Sequence, residues 1–505
     1  MYRNRIVFNL LSPYSITYLY DHALSISSVK WEETGKIRYL VAKEDIKAGD
    51  IILTVPPLVI GPIQVQGKPL CLSCYKEIND FNLPVRCEGC GWPLCSKMCQ
   101  NSYQEYGHTE IECSFLRRSE NKPGYNFNYH LYDFILPLRV ALLKYTSTQK
   151  WTEVQKMQSH SKLRKKNKTF WNNDQIMIDC MKKECSVTEF TDQELHTICG
   201  YLQVNSFAVE HLGVSGLFPT AFLFAHDCVP NTTHIIDSKF NMTVRATVPI
   251  SKGEAVTLSY ANTLQGTMVR RAFLKETKFF NCICKRCSDA TELGTFISAV
   301  KCQICKNGYL LPIDPLNKNS IWQCSCGDEK TEEIISLYIK KVSDEVEKVK
   351  NKSITEMEAF LKMFSSKFHP NHYLLITIKC LLSQLYGKSN RYLLHELSEE
   401  LLLRKIELCK DLLQIFDKIE PGLSRIRGIT MYELHAPLMI IATSIDKKNS
   451  EKYLKSQLKY IKFLLTEANL ILSFEDSTSK EGQIGCAAKA ALEESKQWEQ
   501  LFGKL

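Results

Sequence analysis

An α+β fold of several domains is what this sequence predicts, and three observations carry the reading. Short segments such as Arg38–Ala42, Ile51–Val55 and Met242–Thr247 alternate apolar and polar side chains between turn residues, the pattern of half-buried strands. Paired cysteines punctuate residues 71–113 and 282–326, where they read as metal ligands. From about Glu332 to the end apolar residues fall at helical spacing, as in Ile334, Ile335, Leu337, Tyr338, Val342 and Val346. A chain of 505 residues is also too long for one core, since a domain usually takes roughly 100 to 200.

Lysine and arginine exceed aspartate and glutamate by 64 − 55 = 9, a mild excess that suits acidic partners. Direct nucleic-acid binding would rest on that excess and the run Lys162 to Lys168 alone, and is not expected. Apolar runs fall short of the ~18 to 20 residues of a membrane helix, so no membrane association is expected either. Between Met1 and Asp21, Asn9, Ser12 and Pro13 interrupt any signal-like hydrophobic stretch. Paired cysteines without a secretory signal argue for zinc in a reducing compartment over disulfides.

Taken in order, Arg38–Ala42 and Ile51–Val55 flank the turn Lys47-Ala48-Gly49-Asp50 and predict a β-hairpin. Next come Cys71 and Cys74, Cys87 and Cys90, Cys95 and Cys99, then His108 and Cys113, eight ligands for two tetrahedral metals. So short a segment cannot bury enough apolar surface to fold alone, and the metal must supply the energy. Tyr129–Tyr145 predicts a helix kinked at Pro137, and Ser159–Lys166 a helix whose charges face solvent. Asn205 closes the segment Ile198–Phe207, where a buried, backbone-bonded role suits it as well as a ligand-binding one.

The run Gly213–Ala225 carries almost no charge, so it leads from a buried segment into the loop Ala225-His226-Asp227-Cys228-Val229-Pro230-Asn231. Downstream, Cys282, Cys284 and Cys287 supply three thiolates where a structural zinc needs four, and Cys228 is the candidate fourth. That metal would tie the loop to a distant segment and turn His226 toward the cavity between. Val256–Ala261 predicts a strand ending at Tyr260, and Cys302, Cys305, Cys324 and Cys326 form another four-thiolate set around a glycine-bearing knuckle. Fifteen cysteines and His108 thus serve four zinc ions, leaving six cysteines as small apolar residues. Beyond them the helices pair like a tetratricopeptide-type array, with breaks at His369–His372 and Pro421–Leu423.

The loop at 225–231 resembles the N-H-S-C-x-P-N signature of SET domains, and Gly253–Tyr260 resembles their G-E-E-L-x-x-x-Y strand. With the cysteine-rich finger before them and the post-SET cysteines after, the chain from about Ser27 onward resembles the SET-and-MYND family of protein-lysine methyltransferases, its arthropod branch above all. The resemblance implies a β-rich SET domain with an inserted MYND zinc finger, a post-SET zinc region and a C-terminal helical domain beside the substrate cleft. The expected spans are an extension over residues 1–26, the first SET part over 27–70, the finger over 71–113 and a helical insertion over 114–200. The SET core follows over 201–262, the post-SET region over 263–330 and the helical domain over 331–505.

The resemblance also implies interleaved finger pairing, with Cys71, Cys74, Cys95 and Cys99 on one zinc and Cys87, Cys90, His108 and Cys113 on the other. It implies S-adenosylmethionine as cofactor, held around Gly35, Lys36, Ile37, His160, Asn205, Ala225, His226, Tyr260 and Phe280, with Tyr260 orienting the target amine as the catalytic residue. Two positions depart from the family pattern. Ile37 stands where the G-x-G-R loop has its second glycine, and Ala225 where the signature asparagine bonds the cofactor. Losing such a bond to a charged ligand costs roughly 1.5 to 3 kcal/mol, about ten- to a hundredfold in affinity. Lys278 also stands where many relatives have an active-site tyrosine.

Activity is therefore left open between two readings. One is a lysine methyltransferase of histone or other protein substrates that regulates gene expression. The other is a silent scaffold that binds corepressor-type proteins through its finger and helices. A monomer in nucleus and cytoplasm is expected in both.

Overall fold

The structure, a computed structural model, describes residues 24–502 apart from 32–34, 64–68, 79–84, 102–105, 120–128, 210–211 and 445–450. Most of the expected N-terminal extension lies outside the described residues. Two compact units emerge, Ile52–Phe224 with Ile236–Thr243, and Ala23–Ile51 with Ala225–Ile235 and Val244–Leu505.

In the first unit Val214–Leu217 is the middle strand of an antiparallel sheet, between Val59–Pro62 and Phe207–Val209. All residues of Val59–Pro62 and Val214–Leu217 are buried, which explains why the segment from 213 onward carries no charge. The sheet lies hard against the helix Ile135–Thr146, where a Cβ on Gly61 would stand 2.7 Å from that of Leu136. The finger shares this core, for Trp92 meets the rings of Tyr132 and Phe134 edge-on at 5.3 and 6.1 Å.

Two expectations for this unit need correcting. The predicted helix Tyr129–Tyr145 is a 3₁₀ turn, Tyr129–Phe134, followed by a new α-helix beginning at Ile135. Pro137 then sits in the first turn, where no backbone N–H is needed, and no kink is required. The helix Ser161–Lys166 exposes Lys162, Lys165 and Lys166, but Arg164 is 1% exposed and ion-paired with Asp174.

In the second unit the strand Gly35–Ala42 pairs antiparallel with Leu24–Trp31, setting Ile37 opposite Val29. This corrects both the expected hairpin and the expected loop at residues 35–38. The link after Ala42 does not fold the chain back on itself. Ile46 bridges Ile250, and the Gly49 N–H bonds the Ala246 carbonyl at 2.9 Å, with Gly49 at φ +89°. Four short strands, Val300–Lys301, Tyr309–Pro312, Ile321–Gln323 and Glu329–Thr331, form an antiparallel sheet around the last cysteine set.

Among the described residues seven α-helices follow, Glu332–Val349, Ile354–Phe364, Tyr373–Leu385, Glu399–Ile419, Arg425–Ser444, Glu451–Leu472 and Lys480–Phe502. They enclose two apolar clusters, one centred on Phe368, Ile376, Leu382 and Phe416, the other on Leu434, Ile461, Leu465 and Ala488. No helix among the described residues is long and apolar enough to cross a membrane.

Candidate functional site

Four groups bring their ligand atoms within 4.8 Å of one another: Cys71, Cys74, Cys95 and Cys99; Cys87, Cys90, His108 and Cys113; Cys228, Cys282, Cys284 and Cys287; and Cys302, Cys305, Cys324 and Cys326. A tetrahedron of zinc–sulfur bonds of about 2.3 Å sets neighbouring sulfurs about 3.8 Å apart, whereas a disulfide needs about 2.05 Å. The sulfurs of Cys228 and Cys282 are 3.9 Å apart, those of Cys302 and Cys326 and of Cys305 and Cys324 3.7 Å, and those of Cys87 and Cys113 3.6 Å. The donor sets therefore fit tetrahedral zinc, and the cysteines are free of disulfides.

At the finger, His108 has its Nε2 3.3 Å from Cys90 Sγ and its Nδ1 2.6 Å from Glu112 Oε1. Glu112 is in turn paired with Arg139, whose Nη1 and Nη2 also donate to the carbonyls of Ile60 and Leu72 at 2.9 and 3.1 Å. Burial alone would raise the Glu112 carboxyl, but Arg139 and His108 outweigh it and hold it below the usual range. A carboxylate behind a ligating histidine fixes its tautomer and orientation. Neither Glu112 nor Arg139 carried a signal in the sequence, since each looks like an ordinary helical charge.

The loop at 225–231 is stitched to the strand after it. Ala225 and His226 pair in parallel with Thr257 and Leu258. The buried Asn231 donates its Nδ2 to the Ala255 carbonyl and accepts the Thr257 N–H on Oδ1, both at 2.8 Å. Asn231 was not among the expected site residues, although its place after Pro230 marks the turn. The strand ends at Leu258, short of the expected Tyr260, because the Tyr260 N–H leaves the ladder and bonds Nδ1 of His226 at 3.0 Å.

Burial pushes the His226 ring down to about 4, so it is neutral and, with Nδ1 accepting, carries its proton on Nε2. That nitrogen lies 3.3 Å from Cys228 Sγ. Both ring nitrogens are thus engaged within the protein. The ring packs at 5.3 Å from Tyr260 and 5.8 Å from Phe280, which meet each other edge-on at 6.4 Å. Lys278 holds its ammonium 5.9 Å over the Tyr260 ring, and burial brings it down to about 8. Burial pushes the Tyr260 phenol up, so it stays protonated.

Gly35, Lys36 and Ile37 belong to the Gly35–Ala42 strand. In the first unit, Asn205 donates both amide hydrogens, to the carbonyls of Gln158 and Tyr201 at 2.9 and 2.8 Å. His160 sits at the start of the Ser161–Lys166 helix with φ +48°. The Asp192–Asn205 helix grips that loop, since a Cβ on Gly200 would stand 2.4 Å from the Ser159 carbonyl oxygen. Aromatic faces can hold a sulfonium cation such as that of S-adenosylmethionine, and the Tyr260 ring already carries the Lys278 ammonium. Ala225 has no polar side-chain atom to add, and the His226 nitrogens and the Asn205 amide hydrogens are already bonded.

The stitched loop and the cysteine sets at zinc distances are the chemistry-bearing parts of the chain. Residues 38–261 match the SET domain family model. The chain is 27% identical to the SET domain-containing protein SmydA-8, isoform B, of Drosophila melanogaster, over 68% of this chain and 76% of that protein. It is 24% identical to the histone-lysine N-methyltransferase ASHR1 of Arabidopsis thaliana, over 82% and 86%. Against the N-lysine methyltransferase SMYD2-B of Xenopus laevis it is 26% identical, over 51% and 60%. Residues 38–261 thus form a SET domain, and the chain is similar to SET-domain proteins and lysine methyltransferases of animals and plants.

Proposed function

We propose that the chain is a SET-type protein-lysine N-methyltransferase with few side-chain contacts to its cofactor, acting on histone or other protein lysines in the regulation of gene expression. The observation that supports this furthest is the tyrosine site. Tyr260 is held through its own backbone on His226, and its phenol stays protonated, so it can both donate to and accept from an amine. Methyl transfer needs a neutral amine in line with the donor, which is mostly a matter of position and desolvation. Lys278 acts as an internal probe of that desolvation, since burial already brings this amine to about 8.

S-adenosylmethionine, when bound, would supply a methyl group on a sulfonium, and Tyr260 and Phe280 would hold it by their ring faces. The names of the Arabidopsis and Xenopus relatives point to protein lysines as substrates. Nuclear and cytoplasmic residence, a monomeric state and protein partners for the finger belong to the same proposal. Calorimetric titration of S-adenosylmethionine into the zinc-loaded chain, with labelled-methyl transfer to a panel of histones and peptides, tests it. Micromolar binding and label on lysine are expected, and an Ile37→Gly, Ala225→Asn double variant should bind about ten- to a hundredfold more tightly. Absence of binding by both proteins would overturn the reading.

A second reading, a silent scaffold, is favoured by one observation: the Asn205 amide hydrogens are already committed to Gln158 and Tyr201. A chain with no affinity for the cofactor that loses its protein partners on Cys71→Ser would establish it.

A further inference from the structure

Two of the metal-type groups lie in the second unit, and they differ in the charged side chain that touches a sulfur. Beside the group of Cys228, Cys282, Cys284 and Cys287, Arg270 donates Nη2 to Cys287 Sγ at 3.4 Å, and Arg286 donates Nη1 to the Cys228 carbonyl at 3.3 Å. These guanidiniums are 0% and 1% exposed and share one carboxylate oxygen of Glu292, at 2.8 and 3.0 Å. Glu292 is itself fixed, accepting from the Thr267 N–H at 3.0 Å and from the Ser298 hydroxyl. Beside Cys302, by contrast, a carboxylate oxygen of Asp328 stands 3.4 Å from the sulfur, and the other oxygen is taken by Lys330 at 2.6 Å. Cys326 of that group is exposed, Cys305 half-buried and the other two buried, whereas the first group has three buried cysteines and the half-buried Cys284.

Four thiolates around a divalent cation carry a net charge of about −2. A buried guanidinium donating to one of them offsets part of that charge and orients the sulfur toward the metal, and a carboxylate beside them adds to the charge. We propose that Arg270 is a positioning residue that locks the metal of the Cys228 group in place, and that the Cys302 group holds the exchangeable metal of the pair. This rests on both groups holding zinc. The locked metal fixes Cys228, on which His226 leans. The exchangeable one sits on the knuckle that precedes the helices, open to cellular chelators and oxidants.

The test uses the full, zinc-loaded chain exposed to EDTA, with cysteines alkylated at intervals and mapped by peptide mass. Cys302, Cys305, Cys324 and Cys326 should be labelled first, and Cys228, Cys282, Cys284 and Cys287 last. Arg270→Gln should speed labelling of the latter group about ten- to a hundredfold without changing the former, with Arg270→Lys in between. Asp328→Asn should slow labelling of the knuckle. Simultaneous labelling, the reverse order, or an unchanged rate in Arg270→Gln would overturn the proposal. Cys409, 0% exposed among the helices, reports global unfolding. Should Arg270→Gln label there at once, the order in the natural chain and the Asp328→Asn result decide. Metal analysis of the starting protein separates the premise from the proposal, since a chain that takes up no zinc in either group overturns both.

Discussion

Nδ1 of His226 accepts the backbone N–H of Tyr260 at 3.0 Å, so the tyrosine of one motif is held by the histidine of another, 34 positions earlier. The same ring reaches Cys228 Sγ with its other nitrogen. His226→Phe keeps the ring volume and its packing on Tyr260 and Phe280 but removes both bonds. It should cost about 1 to 3 kcal/mol in urea unfolding. Methyl transfer, if the proposed activity holds, should fall in kcat more than in KM. A stability change of only a few tenths of a kcal/mol would mean the link does not bear on the fold.

Glu112 is 1% exposed and paired with Arg139 on one side and His108 on the other. Glu112→Gln leaves the Arg139 charge buried and uncompensated, which should destabilise the chain by about 3 kcal/mol or more. Zinc content should drop by one ion per chain under mild chelation. The double variant Glu112→Gln, Arg139→Met should recover part of the loss, and strict additivity of the two single effects would show the pair uncoupled.

His372 is fully buried, stacked between Phe368 and Tyr373, and accepts the Leu374 N–H on Nδ1 at 3.3 Å. Burial, and secondarily the neighbouring His369, hold it down to about 3. Between about pH 6.5 and pH 3 the unfolded chain therefore takes up a proton that the folded chain does not, and stability falls with falling pH by up to about 1.4 kcal/mol per unit. His372→Asn can still cap the helix, and its urea-derived stability should fall less between pH 7.5 and 4.5 than that of the natural chain.

Lys278 runs the same way at the alkaline end. Its folded value of about 8 lies below the ordinary 10.5. The buried ammonium costs stability below about pH 8, and that cost vanishes as pH rises through 10.5. Lys278→Met should be more stable than the natural chain at pH 7 by about 1 to 3 kcal/mol, allowing for partial exposure. The difference should close by pH 10.5, and one that persists there would assign it to packing.

Local spacing was legible in the sequence, and distant partnership was not. Cysteines two or three positions apart announce a metal because one short loop must bring two sulfurs to one centre, and the 332–502 helices follow from period alone. The hairpin expectation failed because alternation reveals a strand but not its partner. Gly35–Ala42 finds Leu24–Trp31, while the turn at Gly49 meets Ala246 far along the chain. Pro137 could not be placed because a kink and a fresh helix start look alike until the 3₁₀ turn before it is seen. Arg270, Glu292 and Asp328 were invisible for a like reason: a charge beside a thiolate in space leaves no mark on the spacing of either.

The sulfurs of Cys228 and Cys287 stand 3.5 Å apart across 59 positions of chain. Seen in time instead of energy, that makes the ion a late arrival. The apolar cluster around them is small, Leu274 with Tyr260, Phe280 and Leu316 beside the cysteines, and cannot hold so wide a loop shut unaided. Refolding of this segment should therefore wait on free zinc, while the helices from Glu399–Ile419 onward, which share the cluster of Leu434, Ile461, Leu465 and Ala488, form at a pace indifferent to it.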